Sequence, residues 1–140
     1  MPGPTASDAS RHPLTVRGDA RGKLVAIEGG TDVPFDIARV YYLYGTSEGA
    51  ERGFHAHQRL RQFAVAVSGS CTMMLDDSTA RRDVRLDDPG TGVLIEPMMW
   101  HEMRDFSADC VLLVLADAAY DEGDYIRDYD QFLAALAAAR

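Results

Sequence analysis

The sequence predicts an all-β domain, a sandwich or a barrel, that ends in one short helix. Short segments rich in β-branched and aromatic residues recur along the chain, and turn-forming Gly, Pro and Asp residues separate them. Many short strands at such close spacing are typical of sandwiches and barrels. Residues 130–140 are instead rich in alanine, which favours a helix. The length of 140 residues fits a single domain.

The predicted elements follow one another without an interdomain linker or a repeat. Ser68, Gly69 and Ser70 separate two of the strand segments, which indicates a hairpin. The C-terminal helix is expected to have Asp128 or Asp130 as its N-cap. The segments with strand composition are Lys23–Glu28, Arg39–Tyr44, Gln62–Val67, Cys71–Leu75, Asp83–Leu86, Gly92–Ile95 and Cys110–Ala116.

Residues 1–13 are predicted to form a disordered N-terminal tail, and residues 14–140 a single domain with the C-terminal helix. The tail contains Pro, Ser, Asp and Gly but no apolar stretch of the kind found in a signal peptide. No segment approaches the ~18 apolar residues of a membrane span. The two cysteines are too few for a disulfide framework. We therefore expect a cytoplasmic protein that does not contact a membrane.

The balance of charge argues against one class of partner. Acidic residues outnumber basic residues by 22 to 14, which gives a net charge of −8. Such a surface repels the phosphate backbone of nucleic acids, so nucleic-acid binding is not expected. A small anionic ligand remains compatible with this composition if basic side chains gather around a pocket.

Two of the four histidines, His55 and His57, are separated by a single residue. In an extended segment alternate side chains share a face, so both imidazoles would point the same way. Two such rings suit a metal site, a proton-transfer pair or a polar surface patch. The chain has no GxSxG motif and neither of the phosphate-binding motifs GxGxxG and GxxxxGK(S/T). Metal chemistry and acid–base chemistry therefore remain as the two candidate functions of the histidine pair.

The pattern Gly53-x-His55-x-His57 resembles the first motif of the cupin superfamily. Metal-binding cupins follow this motif with a glutamate four or five residues later, where this chain has Gln62 or the arginine before it. They take a third histidine from a PxGxxH motif, whereas His101 here lies one residue short of that register. Because a metal ion needs three or four well-placed ligands, we expect no metal to take part.

Further short motifs occur in a specific order over roughly residues 14–135. They are Arg39–Tyr44 (RVYYLY), Arg52–His57 (RGFHAH), Leu60–Gln62, Ser68–Ser70, Trp100–Met103 (WHEM), Asp105–Ser107, Val111–Ala116 and Tyr120–Arg127. Each is short, but the ordered set is similar to the WxcM-like cupins. Within that family it resembles the sugar 3,4-ketoisomerases, which act on dTDP-4-keto-6-deoxy-D-glucose.

This resemblance implies a cupin jelly-roll β-barrel with a C-terminal helix, and it also implies a reaction. The family moves a carbonyl group from C-4 to C-3 of a nucleotide-linked hexose through an enediol, without a metal or another cofactor. By the family's pattern, His55 matches the main catalytic base, His57 its partner and Tyr41 the active-site tyrosine. Histidine suits both directions of proton transfer because its pKa lies near neutrality.

Several other residues are expected to contact the dTDP-linked substrate. Arg39 shares a strand face with Tyr41, so both side chains can enter the barrel. Gln62 is a candidate pocket residue, and Trp100 a candidate platform on which the nucleotide base could stack. Tyr42 lies on the opposite strand face and is expected to pack against the rest of the protein.

Two residues bear on the stereochemistry of the product. Arg21 together with His101 is similar to the branch of the family that forms the galacto product. The resemblance therefore implies dTDP-3-keto-6-deoxy-D-galactose as the product, within deoxyamino sugar biosynthesis. It also implies a homodimer with exchanged N-terminal strands.

Two alternative functions remain open. A related cupin epimerase also removes a proton next to a ketone, but it would need a His–Asp dyad, and no Asp lies near His55 and His57 in the sequence. A non-enzymatic sugar-binding cupin would use the same histidines for recognition. Such sensors usually carry a helix-turn-helix, which fits neither before residue 14 nor after residue 130.

Overall fold

Twelve strands and one α-helix make up residues 11–139, the part of the chain that this computed structural model describes. The helix, α1, spans Tyr129–Ala139, and a short 3₁₀ turn at Glu122–Asp124 precedes the last strand. The strands are β1 (Arg11–Pro13), β2 (Val16–Asp19), β3 (Gly22–Val25), β4 (Arg39–Tyr44), β5 (Arg52–His57), β6 (Gln62–Ser68), β7 (Cys71–Asp76), β8 (Arg81–Leu86), β9 (Thr91–Ile95), β10 (Trp100–Arg104), β11 (Val111–Ala116) and β12 (Tyr125–Ile126).

Ten of these strands form two five-stranded sheets around a common core. One sheet has the order β1-β9-β6-β11-β4, and the other has the order β12-β5-β10-β7-β8. All strand pairs in both sheets are antiparallel. Strands β2 and β3 form a separate hairpin that pairs with neither sheet. The predicted all-β jelly roll with a C-terminal helix is confirmed.

The N-terminal boundary of the domain differs from the prediction. Residues 1–10 of the predicted tail lie outside the described residues, but Arg11–Pro13 form β1 and pair with β9. The ring of His12 packs edge-on to Phe63, with 6.3 Å between the ring centroids. Backbone pairing and this ring contact hold residues 11–13 in the domain, so the sheet begins before residue 14.

The interior of the barrel is apolar toward one end and polar toward the other. Inward-facing residues alternate along each strand. On β6 they run from Ala66 and Ala64 in the apolar core to Gln62. On β10 they run from Met103 in the same core to His101. The strands that build the core therefore also supply polar side chains to one end of the barrel.

Helix α1 covers the outer face of the second sheet. Phe132 is fully buried there and packs in a cluster that includes Ala56, Trp100 and Ile126. The helix begins with Asp128 as its N-cap, because the Asp128 carboxylate accepts a hydrogen bond from the Gln131 N–H at 2.9 Å. Within residues 11–139 no helix has the length and apolar character that a membrane crossing requires.

Candidate active site

Three histidines meet at the polar end of the barrel. His55 and His57 lie on β5 and His101 lies on the neighbouring strand β10. The ring centroid of His55 is 4.9 Å from that of His57 and 4.5 Å from that of His101. His57 and His101 are buried, and His55 is half-buried. The predicted shared face of the histidine pair is present, and the fold adds a third ring.

A β-bulge in β5 sets the position of His101 beside the pair. Strand β10 pairs His101 with His55 but Glu102 with Gly53, so Phe54 is the extra residue. Gly53 has φ of 93° and Phe54 has φ of 59°, both in the left-handed region. A Cβ atom at Gly53 would come within 2.9 Å of the His101 carbonyl oxygen. The glycine of the RGFHAH motif is therefore required by the backbone.

This pairing corrects the argument by which the sequence excluded a metal. The linear spacing put His101 out of register with a cupin metal motif. In the structure one nitrogen from each of His55, His57 and His101 lies within 4.8 Å of the other two. The count of available nitrogen ligands is thus three, because strand pairing and not spacing along the chain determines which side chains meet.

Backbone carbonyls fix two of the three rings. His55 Nδ1 lies 3.0 Å from the Gly53 carbonyl oxygen, and His101 Nδ1 lies 3.1 Å from the Met99 carbonyl oxygen. A carbonyl oxygen only accepts, so each Nδ1 carries the proton. The Nε2 atom of each neutral ring consequently holds a free lone pair.

A buried carboxylate fixes the third ring. Asp124 Oδ2 lies 3.2 Å from His57 Nδ1, and the same carboxylate accepts the backbone N–H groups of Arg59 at 2.8 Å and Leu60 at 3.2 Å. His57 Nε2 is buried and has no hydrogen-bond partner among the described residues. The pair is a His–Asp dyad, so the sequence argument against an epimerase no longer holds.

Burial keeps all three rings neutral near pH 7. It lowers the pKa of His57 to about 4, and the neighbouring His55 lowers that pKa as well, whereas the Asp124 carboxylate raises it. Burial lowers the pKa of His101 to about 3, again with a contribution from His55. The pKa of His55 is lowered mainly by its own burial. Neutral imidazoles are the form that accepts protons.

Tyr41 lies on β4, in the sheet opposite the three histidines. Gln62 Nε2 donates a hydrogen bond to the Tyr41 hydroxyl oxygen at 2.6 Å, which leaves the hydroxyl proton of Tyr41 free to donate elsewhere. Burial, with a contribution from Tyr125, raises the pKa of Tyr41 to about 12, so the phenol stays protonated. The guanidinium of Arg39 lies over the Tyr41 ring, 4.8 Å from its centroid. The predicted Arg39, Tyr41 and Gln62 thus form one group.

Tyr125 is a residue of this site that the sequence did not single out. Strand β12 pairs Tyr125 with His57, and the ring centroids of these two residues are 4.4 Å apart. The Tyr125 ring is also 4.9 Å from His55, and the Arg127 guanidinium lies 4.2 Å from its centroid. The two-residue strand β12 thereby forms one wall of the site.

A cavity of about 280 Å³ opens beside His57. His57 and Tyr125 border it, together with Arg39, Arg59 and Asp121. The guanidinium groups of Arg39 and Arg59 line the cavity together with three carboxylates, and Arg59 is ion-paired with Asp121 at 3.4 Å. The cavity therefore offers polar groups of both charges beside His57.

The predicted contact of Trp100 with substrate is not supported. Trp100 alternates with His101 along β10 and therefore points to the opposite face of the sheet. Its side chain is only 4% exposed and packs against Tyr129 and Phe132 beneath α1. Its indole N–H donates to Glu102 at 2.8 Å. Trp100 is a core residue of the helix–sheet layer.

Two further expectations concern the surface. Arg21 lies in the turn of the β2–β3 hairpin, exposed and ion-paired with Asp19 at 2.7 Å. In this chain the hairpin pairs with neither sheet, so the structure does not bring Arg21 to the histidines. Tyr42 was expected to pack against the protein, but its side chain is 60% exposed. Tyr44, two residues further along β4, is 72% exposed.

A jelly roll with converging histidines in its polar end defines a cupin. A family model described as FdtA, WxcM-like, C-terminal, matches residues 7–137. The chain therefore belongs to the WxcM-like family.

Three relatives carry the similarity across most of the chain. A TDP-4-oxo-6-deoxy-α-D-glucose-3,4-oxoisomerase from Aneurinibacillus thermoaerophilus is 52% identical over 114 residues, 81% of this chain and 82% of that protein. A mutant of the 3,4-ketoisomerase QdtA from Thermoanaerobacterium thermosaccharolyticum, solved with TDP-4-keto-6-deoxyglucose, is 38% identical with a TM-score of 0.90, covering 93% and 94% of the two chains. The TDP-quinovose 3,4-ketoisomerase WlaRB from Campylobacter jejuni is 42% identical with a TM-score of 0.87, covering 91% and 98%. The chain is accordingly an isomerase.

Proposed function

We propose that this isomerase is a 3,4-ketoisomerase that acts on dTDP-4-keto-6-deoxy-D-glucose. The observation that carries the proposal is the neutral His55–His57 pair with free Nε2 lone pairs, in a barrel that also holds the protonated, half-buried Tyr41. Such a set can both remove and return protons. The relatives support the substrate class, because two of them are named for TDP-linked sugars and a third was solved with this keto sugar.

The proposed reaction moves protons and leaves the atom count unchanged. His55 Nε2 removes the proton from C-3 while the C-4 carbonyl oxygen gains a proton, which gives the 3,4-enediol. The C-3 hydroxyl then loses its proton and C-4 gains one, which gives the 3-keto sugar. His55 performs the first step only as a neutral ring with a free lone pair. We therefore propose a metal-free reaction, because a metal on that nitrogen would remove its basicity.

The neighbours of His55 have complementary roles in this scheme. Tyr41 donates its hydroxyl proton toward the carbonyl oxygen, since Gln62 already occupies a lone pair of the Tyr41 oxygen. His57 passes protons between the two sugar oxygens. The Asp124 carboxylate stabilises the imidazolium that His57 becomes while it holds a proton.

We further propose that the enzyme is a homodimer in which the β2–β3 hairpin of each copy reaches the partner. The family resemblance implies the exchange, and the exposed hairpin fits it because it pairs with neither sheet of its own chain. An exchanged hairpin would bring Arg21 to the site of the second copy. Apolar and aromatic side chains are exposed on the hairpin and on β4: Val16, Leu24, Val40, Tyr42 and Tyr44.

The proposed product is dTDP-3-keto-6-deoxy-D-galactose, used in deoxyamino sugar biosynthesis. The configuration at C-4 depends on the face of the planar enediol that receives the proton. His101 lies beside His55, where it can influence which face of the enediol receives the proton. The occurrence of both Arg21 and His101 in the sequence resembles the galacto-forming branch of the family.

One experiment tests the reaction and the product together. The purified protein is incubated with dTDP-4-keto-6-deoxy-D-glucose in D₂O, and the product is read at once by NMR. We expect a 3-keto sugar with deuterium at C-4 and a small coupling between H-4 and H-5 when the reaction is repeated in H₂O. A large H-4/H-5 coupling would instead reveal the gluco product.

The same spectra separate the epimerase alternative that the His57–Asp124 dyad reopens. An epimerase would exchange a proton at C-3 or C-5 and leave the carbonyl at C-4. Retention of the 4-keto group with an inverted neighbouring carbon would therefore replace the ketoisomerase proposal.

The metal-free reaction has its own test. Dialysis of the protein against a strong chelator should leave the ketoisomerase rate unchanged.

A further inference from the structure

The ring of Tyr125 lies against both histidines of the proposed proton-transfer pair. Its centroid is 4.4 Å from that of His57 and 4.9 Å from that of His55. His57 is buried and anchored on the Asp124 carboxylate. His55 is half-buried, and its ring has one hydrogen bond among the described residues, to the Gly53 carbonyl oxygen. A single hydrogen bond leaves a ring free to tilt, so packing against neighbouring rings decides the orientation of His55.

The backbone of Tyr125 is fixed on both sides. The preceding residue, Asp124, accepts two backbone N–H groups from the segment that follows β5. The following residue, Ile126, is buried in the cluster beneath α1. Because alternate residues of a strand face opposite sides, the anchored Ile126 directs Tyr125 toward the interior of the barrel.

A group of exposed side chains secures the Tyr125 ring. The Arg127 guanidinium lies 4.2 Å from the centroid of this ring. Glu122 holds that guanidinium with two hydrogen bonds, at 2.8 Å and 2.9 Å, and the Tyr120 hydroxyl donates to the same carboxylate. The Tyr120 ring is itself 5.6 Å from the Tyr125 ring. Contacts made at the surface are thus passed through one aromatic ring to the two histidines.

We propose that Tyr125 is a positioning residue for His55 and His57. Arg127, which Glu122 anchors, acts through Tyr125. The Tyr125 ring limits the tilt of the imidazoles and so keeps His55 Nε2 aimed at the C-3 proton, where a misplacement of about 1 Å can cost about 10²-fold in rate. The positioning itself stands on contacts within the chain, whereas its effect on the rate rests on the proposed ketoisomerase function.

NMR of ¹⁵N-histidine-labelled protein tests the positioning without a substrate. The His55 Nδ1–H should give a protected signal in the wild type, because it donates to the Gly53 carbonyl. Tyr125→Phe keeps the ring and should keep this signal, whereas Tyr125→Leu should lose it to exchange with water. The His101 Nδ1–H, held by the backbone at 3.1 Å, is the internal control and should stay protected in all three proteins. A His55 signal equally protected in Tyr125→Leu would overturn the proposal.

Kinetics test the contribution of Arg127. Arg127 is not among the described residues that border the cavity, so Arg127→Gln should lower kcat about twofold to fivefold, the size of an exposed cation–π contact, and leave KM unchanged. Tyr125→Leu should lower kcat roughly 10–100-fold. Adding Arg127→Gln to Tyr125→Leu should cause no further loss, because the ring through which Arg127 acts is gone. Arg104→Gln is the matched control, since Arg104 forms a comparable surface ion pair with Asp83 at 2.7 Å.

The outcomes separate this inference from the proposed function. Equal losses of kcat in Tyr125→Phe and Tyr125→Leu would assign the effect to the hydroxyl and refute positioning by the ring. A further loss in the double variant, or no difference between Arg127→Gln and Arg104→Gln, would refute the role of Arg127. Absence of turnover in the wild type would refute the ketoisomerase, and the NMR signal of His55 would still decide the positioning. Circular dichroism confirms folding, and the surface variant Arg127→Gln replaces Tyr125→Leu in the NMR test if the latter is unfolded.

Discussion

His55 and His57 differ in what holds their Nδ1 protons, and this difference gives them different chemistry. A neutral carbonyl oxygen holds His55, and a buried carboxylate holds His57. A carboxylate stabilises a neighbouring imidazolium more than a carbonyl does, because the charges attract at short range in a buried site. His57 is therefore suited to hold a proton briefly, and His55 to take one from carbon and release it.

Replacing His55 tests the assignment of the base. His55→Asn should lower kcat by about 10²–10⁴-fold, the usual cost of removing a general acid–base group. Substrate affinity should remain, because Asn keeps a polar group of similar reach and the cavity-lining Arg39 and Arg59 are unaffected. Steady-state kinetics and calorimetric titration of the substrate measure the two quantities. Near-normal turnover in His55→Asn would refute the assignment.

Replacing Asp124 tests a positioning role. Asp124→Asn should reduce kcat by about 10–100-fold, as the loss of an orienting partner does. The carboxylate raises the pKa of His57, so its removal should move the acidic limb of the kcat profile to lower pH. Asp130→Asn is the matched control, because Asp130 is exposed in the first turn of α1 and does not line the cavity.

The outcome that would contradict this role is specific. A loss of stability in Asp124→Asn with an unshifted pH profile would mean that the carboxylate only satisfies the backbone N–H groups of Arg59 and Leu60. Urea unfolding of both Asp variants beside the pH–rate profiles distinguishes the two roles.

Among the secondary-structure elements, the bulged strand β5 carries the most function. Its extra residue turns His55 toward His101, and the Gly53 carbonyl accepts the His55 Nδ1–H. A non-glycine residue in the left-handed region, Phe54, completes the bulge. Such strain persists when the surrounding structure holds it in place, and here the pairing of β5 with both β10 and β12 does so.

Gly53→Ala tests the bulge. The new Cβ would meet the His101 carbonyl oxygen at 2.9 Å at a φ of 93°, so we expect the free energy of unfolding to fall by roughly 1–3 kcal/mol. We expect kcat to fall as well, because the new Cβ would press on the backbone of His101 and because the Gly53 carbonyl holds the His55 ring. Gly45→Ala is the control, since Gly45 has φ of 62° but open space around its Cβ position.

Urea unfolding and kcat measure both consequences of the Gly53 change. The Gly45 control should show only the cost of a left-handed alanine, about 1–2 kcal/mol, and unchanged turnover. If Gly53→Ala lost no more stability than Gly45→Ala and kept its kcat, the bulge would not position His55.

The elements with regular composition were predictable from the sequence, and those shaped by tertiary contacts were not. The prediction for β4 has the observed bounds, and the composition of β11 and β6 placed them to within one residue. Strand β1 was missed because three residues carry no pattern. Asp124 could not be assigned because 67 residues separate it from His57 and only the pairing of β12 with β5 brings them together.

At the scale of the whole molecule, three neutral histidines, two of them buried and one half-buried, make stability depend on pH. Their pKa values are lowered in the folded state, so the unfolded chain binds more protons below the ordinary histidine pKa of 6.5. The stabilisation is fully present above pH 6.5 and is lost as the pH falls toward the folded-state values. We expect the urea midpoint to fall between pH 6.5 and pH 5, before carboxylates protonate.

A single substitution checks the origin of this pH dependence. His101→Asn removes one buried ring, and its urea midpoint should change less across the same pH window than that of the wild type. A wild-type midpoint that stays constant from pH 6.5 to pH 5 would contradict the neutral, buried state of the cluster.

The proposed exchange of hairpins predicts complementation between a variant of the hairpin and a variant of the histidine pair. Arg21→Ala and His55→Asn each lack one residue of the complete site. In a mixed dimer one site receives His55 from the first chain and Arg21 from the second, so co-expression should restore part of the wild-type activity. The same two variants mixed without subunit exchange should show only the activity that each has alone. Failure of co-expressed chains to regain activity, with both variants folded, would refute the contribution of Arg21 from a partner.

The burial of Trp100 beneath α1 gives the protein an optical signal of its own. Trp100 is the only tryptophan of the chain, and it packs between the second sheet and the aromatic rings of Tyr129 and Phe132. Its fluorescence emission should be blue-shifted in the native protein and should move to longer wavelength when the helix leaves the sheet. Because α1 packs outside the barrel, detachment of the helix can precede loss of the β-structure. Emission recorded alongside circular dichroism in one denaturant series would then resolve the undocking of the helix from the opening of the barrel.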